Sequence, residues 1–364
     1  MTGVVHRRIN ILMLSKHRKI TLFRCVLIVV GIFCALAFGE IGFRIRGIGY
    51  GNSPLISDPF IHHKHPANYT FTFHTPSEEF GGHVISYDAH GLVSDPDSNK
   101  VPSTGKLHQI ALMGDSFVEG LQVPYVSSMT GLLEQSARDN VGVRNFGVSG
   151  YSPIFYLRQW EDLVQGFRPT HVYVLMYSDD ISSDLTMAAQ VNWSGLGEPP
   201  LLPGAMVGEF VSQMRKLYVA RFIRRFQLKL LWLLKNRNVR DPVVGGFVEE
   251  NPDISTLTSR IILSLADRIQ NTGATFSLMV VPSKHRLMTK TRTHDTPQFS
   301  DKWKEWAKTH DVKFLDLTVP FEKAHSPFFQ SDIHFNSEGH QITAAVIAAD
   351  LPNLFHLPLD GTKP

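Results

Sequence analysis

The chain has 364 residues, of which 43% are hydrophobic, 10% aromatic and 19% charged, with a formal net charge of +3. So much apolar material excludes wholesale disorder, and two cysteines, Cys25 and Cys34, exclude both a disulfide framework and a cysteine-based zinc site. The positive charge is confined to two segments, an N-terminal cluster and residues 211–240, and the remainder is net acidic, which excludes a general nucleic-acid-binding surface.

Residues 1–24 form a basic leader with Arg7, Arg8, Lys16, Arg18, Lys19 and Arg24. From Cys25 to Gly39 the sequence CVLIVVGIFCALAFG carries no charge. As a helix this run rises about 22 Å, short of a hydrocarbon core of roughly 30 Å. Leu22 and Phe23 before it, Ile41 to Phe43 after it and a snorkelling Arg24 lengthen the span. The pattern predicts a transmembrane signal anchor over 25–43. The basic leader then lies in the cytoplasm and the rest of the chain outside, on the periplasmic side in a Gram-negative cell. The competing reading is a signal peptide cleaved after Ala37, because Ala35-Leu36-Ala37 is an A-x-A site. The long leader favours the retained anchor.

Residues 47–105, rich in Gly, Pro, His, Asn and Ser, predict an irregular extension packed on a main domain, with a β-like stretch at Tyr69 to Phe73. Its His62, His63, His65 and His74 match no metal-binding spacing and read as solvated or hydrogen-bonded loop histidines. From residue 106 to 352 short apolar runs alternate with helical patterns. Strands are predicted at His108–Met113, Val143–Gly147, His171–Tyr177, Thr275–Val281 and Lys313–Leu317. Helices are predicted at 125–138, 154–165, 253–271, 299–309 and 337–351. Such alternation predicts βαβ units: an α/β fold, a three-layer α/β/α sandwich around a parallel, flavodoxin-like sheet. Any site then lies beyond the carboxyl ends of the strands. A basic amphipathic insertion at about 209–240 interrupts the alternation, and 353–364 reads as a tail. Arg221, Arg224 and Arg225 of the insertion face either bulk water or an anionic partner, whether lipid headgroups or a polyanionic substrate.

The chemistry-bearing residues fall where the strands end. Ser116, in Gly114-Asp115-Ser116-Phe117, follows the first strand where a helix begins, and its own N–H suits an oxyanion. Asp332-Ile333-His334 precedes the last helix, and in an extended segment Asp332 and His334 point the same way. They supply the orienter and base that a serine nucleophile needs. Asn336 or Ser337 caps the final helix, and His340 within it reads as packing. Gly147, in Asn145-Phe146-Gly147-Val148-Ser149, can bring its N–H close to a substrate. Asp179, Asp180 and Asp184 after the third strand read as helix-capping residues rather than metal ligands.

These blocks, over about residues 106–352, resemble the SGNH or GDSL hydrolase superfamily. The resemblance implies that Ser116 is the nucleophile and that Asp332 and His334 complete a triad. It also implies an oxyanion hole built from Ser116 N–H, Gly147 N–H and an Asn side chain. Here Asp179 stands where the family has that Asn. An ionised carboxylate cannot donate a hydrogen bond, and losing one such donor typically costs about two to three decades in rate. The succession of anchor, extension and SGNH domain is similar to exported enzymes that add or remove O-acyl groups on polysaccharides, including the alginate acetylation proteins. The resemblance implies an ester substrate such as an acylated carbohydrate, with neighbouring envelope polysaccharide-modification proteins as partners. It implies no metal, organic cofactor or nucleic acid. The competing expectation is a catalytically weak polysaccharide-binding or assembly protein on the same scaffold.

Overall fold

In one interior strand of the sheet, every residue from Gln109 to Gly114 is buried, because the segment packs on both faces. Ile110 and Leu112 point to one layer, and Ala111 and Met113 to the other. The computed structural model describes residues 2–46, 54–74, 79–97, 105–195, 197–202, 214, 217–235, 252–282, 284–289 and 298–356. Strands β6 (His108–Gly114), β7 (Val141–Asn145), β8 (His171–Met176), β9 (Thr275–Val280) and β10 (Phe314–Leu315) form a parallel sheet in the order β7-β6-β8-β9-β10. This is the predicted flavodoxin-like order, with the switch point at β6 between β7 and β8. Strand β7 starts and ends two residues before the expected span, so Phe146 and Gly147 belong to the loop beyond it.

One face is covered by α3 (Met129–Ser136) and the C-terminal helix α11 (Ser337–Asp350), whose Met129, Leu133, Ala344 and Ile347 pack on Ile110 and Leu112. The other face is covered by α4 (Pro153–Gln159), α7 (Thr256–Gln270) and α9 (Phe299–Thr309). Helix α7 starts at Ser255, whose hydroxyl accepts from Thr258 N–H, and buries Ile261, Ile262, Leu265 and Ile269 at helical spacing. Between these elements lie α2 (Ser116–Glu119), α5 (Asp180–Val191), α6 (Tyr218–Lys235), α8 (Lys284–Thr289) and α10 (Thr318–Lys323). Of the expected insertion, α6 and residues 214 and 217 are described, and its other residues lie outside the described part.

One expectation needs correction. The extension is not irregular: β1 (Ile56–Asp58) pairs with β2 (His62–Lys64), and β3 (Tyr69–His74), β4 (Gly81–Tyr87) and β5 (Val93–Ser94) form a three-stranded antiparallel sheet. Phe71, Ile85 and Tyr87 give that sheet its own apolar face. The tail predicted from residue 353 begins docked on the domain, because Phe355 is buried and bridges Ala137.

Helix α1 (Thr2–Arg46) runs without a break through the uncharged segment. Its apolar stretch Ile20–Arg46 has 27 residues, about 40 Å of helix. The helix thus continues past both ends of the uncharged run, through Arg24 on one side and Glu40 on the other. None of its apolar window is buried, which excludes a core helix. What remains is a helix long and apolar enough to cross a membrane, or a signal sequence.

Candidate active site

The serine is delivered by a turn that only glycine permits. A Cβ on Gly114 would stand 2.4 Å from Val118 Cγ2 and 2.9 Å from the Leu175 carbonyl oxygen. The chain can therefore break from β6 into α2 while staying pressed against β8. Asp115 caps α2 by accepting from Phe117 N–H at 2.9 Å. Ser116 opens the helix, where its N–H has no intrahelical acceptor.

His334 Nε2 lies 2.7 Å from Ser116 Oγ. Its other ring nitrogen, Nδ1, is hydrogen-bonded to Asp332 Oδ1, which also accepts the His334 backbone N–H at 2.9 Å. Burial pushes the Asp332 carboxyl up, but the His334 bonds and the Lys284 charge outweigh this and hold it below the usual carboxylate range. Phe117 packs its ring against His334 at 5.0 Å and Tyr177 at 4.8 Å, giving the imidazole an apolar wall. Asn336 caps α11 as expected, accepting from Glu338 and Gly339 N–H. His340 is buried against Phe335, and burial pushes it down to about 3, so it stays neutral.

The loop carrying Asp332 and His334 is held by two residues that sequence reasoning missed. Buried Lys284 donates to the carbonyl oxygens of Phe329 (2.6 Å), Gln330 (3.0 Å) and Asp332 (2.8 Å). Glu79, from the extension, accepts from Gln330 N–H at 2.5 Å, Ser331 N–H at 2.8 Å and the Ser331 hydroxyl. Lys284 left a faint signal, the first charge past the carboxyl end of apolar β9. Glu79 left none.

Gly147 needs its missing side chain, but for a different reason than expected. A Cβ there would stand 2.3 Å from Glu119 N and 2.7 Å from the Val118 carbonyl carbon, so the glycine lets the loop close against α2. Its N–H donates to Asn145 Oδ1 at 2.8 Å, while Asn145 Nδ2 donates to the Val118 carbonyl oxygen and Thr130 Oγ1. The expected oxyanion donor is thus engaged inside its own loop. One turn further, Ser149 donates through N–H (2.8 Å) and hydroxyl to Glu119, which also accepts from Tyr87 and lies 2.8 Å from His65 Nε2. His63 Nε2 lies 3.0 Å from the Ser149 carbonyl oxygen. These histidines are hydrogen-bonded as expected; the side chain of His74 lies outside the described part.

Asp179 is exposed at the N-cap position of α5 but makes no capping bond, and the other two aspartates do not cap α5 either. Asp180 accepts from Tyr177 N–H and the Tyr156 hydroxyl, and Asp184 from the Ser152 hydroxyl and Ile154 N–H. Carboxylate oxygens of Asp115, Asp179 and Asp180 lie within 4.8 Å of one another, a spacing at which a cation could bridge them. Burial, then the nearby Asp179 charge, pushes Asp115 up to about 7. Burial and the Asp115 and Asp179 charges push Asp180 well above the carboxylate range. Retained protons therefore ease much of the like-charge repulsion in this group.

The three insertion arginines separate. Arg221 is 5% exposed, with its guanidinium 4.2 Å above the Phe71 ring, so it belongs to the interior rather than to a binding surface. Arg224 is exposed; the side chain of Arg225 lies outside the described part.

A sandwich with a serine at the end of an interior strand and a histidine–aspartate pair returning from its last loop defines the class of α/β ester hydrolases. The model of the GDSL-like lipase/acylhydrolase family matches residues 112–342, and the chain belongs to that family. Solved structures with a similar fold include a GDSL-like lipase from Bacteroides thetaiotaomicron, at 14% identity over 70% of this chain and 92% of that one (TM-score 0.37). An acetylxylan esterase variant from Geobacillus stearothermophilus has 16% identity over 71% and 99% (TM-score 0.39). A hydrolase from the metagenome of Lake Arreo, Spain, has 15% identity over 70% and 100% (TM-score 0.40). No curated protein matched the chain.

Proposed function

We propose that the protein is an exported, membrane-anchored serine esterase or O-acyltransferase acting on acyl esters of envelope or secreted polysaccharide. The observation that supports it most is the continuous hydrogen-bonded path from Ser116 Oγ through His334 to Asp332. In this reading Ser116 Oγ attacks the ester carbonyl while His334 Nε2 takes its proton, and Asp332 fixes the His334 tautomer and steadies the imidazolium. Collapse of the tetrahedral intermediate breaks the bond to the leaving alcohol, which takes the proton from His334 and leaves an acyl-serine. Water then returns the enzyme by hydrolysis, whereas a sugar hydroxyl does so by transfer. Ser116 N–H provides one oxyanion donor at the helix N-terminus. Gly147 N–H provides a second when the oxyanion displaces Asn145 as its acceptor. Asp179 serves as a third donor only while it carries a proton.

The basic leader and the uncharged helix favour an anchor with its N-terminus in the cytoplasm, and fusion of an export-dependent reporter after residue 50 tests that orientation. A second reading, a weakly catalytic glycan-binding protein, draws on Asp179 and on the engaged Gly147 N–H. A serine-reactive fluorophosphonate probe separates the two. Labelling that disappears in Ser116→Ala supports the enzyme. A folded protein that resists the probe overturns it in favour of the binding protein.

A further inference from the structure

Helix α6 is clamped between the end of α1 and the sheet of the extension. Val219 N–H donates to Glu40 Oε2 at 2.8 Å, the Phe43 and Phe222 rings lie 5.0 Å apart, and Arg44 sits 5.0 Å over the Tyr218 ring. On its inner side the Tyr218 hydroxyl donates to the Thr70 carbonyl oxygen, and Arg221 lies on Phe71. These contacts fix how the helix is rolled. The side turned away from the extension presents Ile223 (45% exposed), Phe226 (65%) and Leu230 (47%), spaced as neighbours along one stripe, with exposed Arg224 off the stripe. Ordinary surface helices do not combine such a stripe with a sequence of nine Lys and Arg and no acid over 211–240.

We propose that α6 is an interfacial helix that lies on the anionic lipid surface where α1 leaves the bilayer, its apolar stripe among the acyl-chain boundary and its exposed Arg224 at the headgroups. The proposal rests on the reading of α1 as a membrane span. That span ends at Arg46, within a turn or two of the residues that grip α6, so the start of α6 is held at the height of the membrane surface. Basic residues near such a surface are attracted by anionic headgroups, and Phe, Ile and Leu at this depth leave water without losing a hydrogen bond. The two helices together then fix how the catalytic sandwich faces the membrane.

The test uses the full-length chain with Cys25→Ser and Cys34→Ser, carrying a single environment-sensitive fluorophore at Val29→Cys, Phe226→Cys or Lys308→Cys. The protein is reconstituted into vesicles of phosphatidylethanolamine and phosphatidylglycerol that contain spin-labelled lipid, with the quencher either shallow or deep. Val29 should be quenched by the deep label, Phe226 roughly halved in intensity by the shallow label, and Lys308 unaffected. Exchanging phosphatidylglycerol for a zwitterionic lipid should weaken quenching at Phe226 and leave Val29 unchanged. Deep quenching at Val29 with none at Phe226 overturns the interfacial helix and leaves the anchor standing. Quenching at Phe226 without Val29 removes the anchor and overturns the placement of α6 beside it, leaving only a lipid-binding helix. Quenching at neither removes both. Cross-linking between Phe226→Cys copies in place of lipid quenching assigns the stripe to a second copy of the chain and also overturns the proposal.

Discussion

Ser116 and His334 face each other across 2.7 Å from two loops built on opposite plans. The serine loop lies inside: Asp115, Phe117, Val118 and Glu119 are all buried, and Gly114 and Gly147 let three segments pack at backbone contact. The histidine loop lies at the surface, with Asp332 and His334 half-buried, and it is held by polar bonds from elsewhere, above all Lys284 and Glu79. A loop fixed by packing cannot shift without opening the core, whereas a loop fixed by polar bonds can be loosened one bond at a time. In the proposed reaction the nucleophile is therefore the fixed point of the site, and the base is the adjustable one.

Removing the fixed point has the largest expected effect. Ser116→Ala should lower hydrolysis of a small ester by about three decades or more while the protein stays folded, read from initial rates and circular dichroism. Loosening the other loop comes next. Lys284→Met removes the donor to three carbonyls and the positive charge behind Asp332, and should lower kcat by about a hundredfold with little change in KM. Because that charge helps hold Asp332 low, the acid limb of its pH–rate profile should also move to higher pH. A profile that keeps its shape would make Lys284 a merely structural residue. Asp179→Asn tests the mouth between the loops. A neutral amide there should raise hydrolysis by about one decade, and an unchanged rate would take Asp179 out of the oxyanion site. Glu79→Gln should cost about fivefold in kcat, the worth of roughly one hydrogen bond, without lowering thermal stability as much as a core change does.

The smallest effect concerns the acids packed inside. Burial pushes Asp184 up to about 7, above its value in the unfolded chain, so its contribution to stability is greatest at acid pH and is lost as pH rises from about 4 to 7. Asp184→Asn should therefore gain melting temperature over the parent as pH increases across that window, as scanning calorimetry at several pH values can check. His63 and His340, pushed down by burial, oppose this trend in the parent on the acid side, which is why the difference between the two proteins is the quantity to follow.

The packed region was the more legible in sequence. Its strands announce themselves as apolar runs, and GDSF and DIH stand at fixed places relative to those runs, so the sheet order and the serine–histidine–aspartate set could be read before any coordinates. What holds the adjustable loop was not legible. Glu79 lies 251 residues from Gln330 in sequence, and no local periodicity records a contact of that range. Arg221 shows a different limit. Helical spacing assigns it to the charged face, yet its guanidinium finds Phe71, whose place on a separate sheet the pattern of the helix does not contain. Gly147 was read as bringing its N–H near a substrate, but what its missing side chain admits is the backbone of α2.

The buried Glu119 carboxylate, at the end of the nucleophile helix, carries a consequence for how this domain can be inherited or engineered. Burial pushes it up, yet the His65 and Ser149 contacts outweigh this and hold it below the usual range, so half of its support comes from the extension. Cutting the gene at residue 106, where the family resemblance begins, would take away two of the groups this carboxylate meets, His65 and Tyr87. Recombination or truncation must therefore carry the segment from Pro54 to Ser94 with the sandwich as one heritable unit.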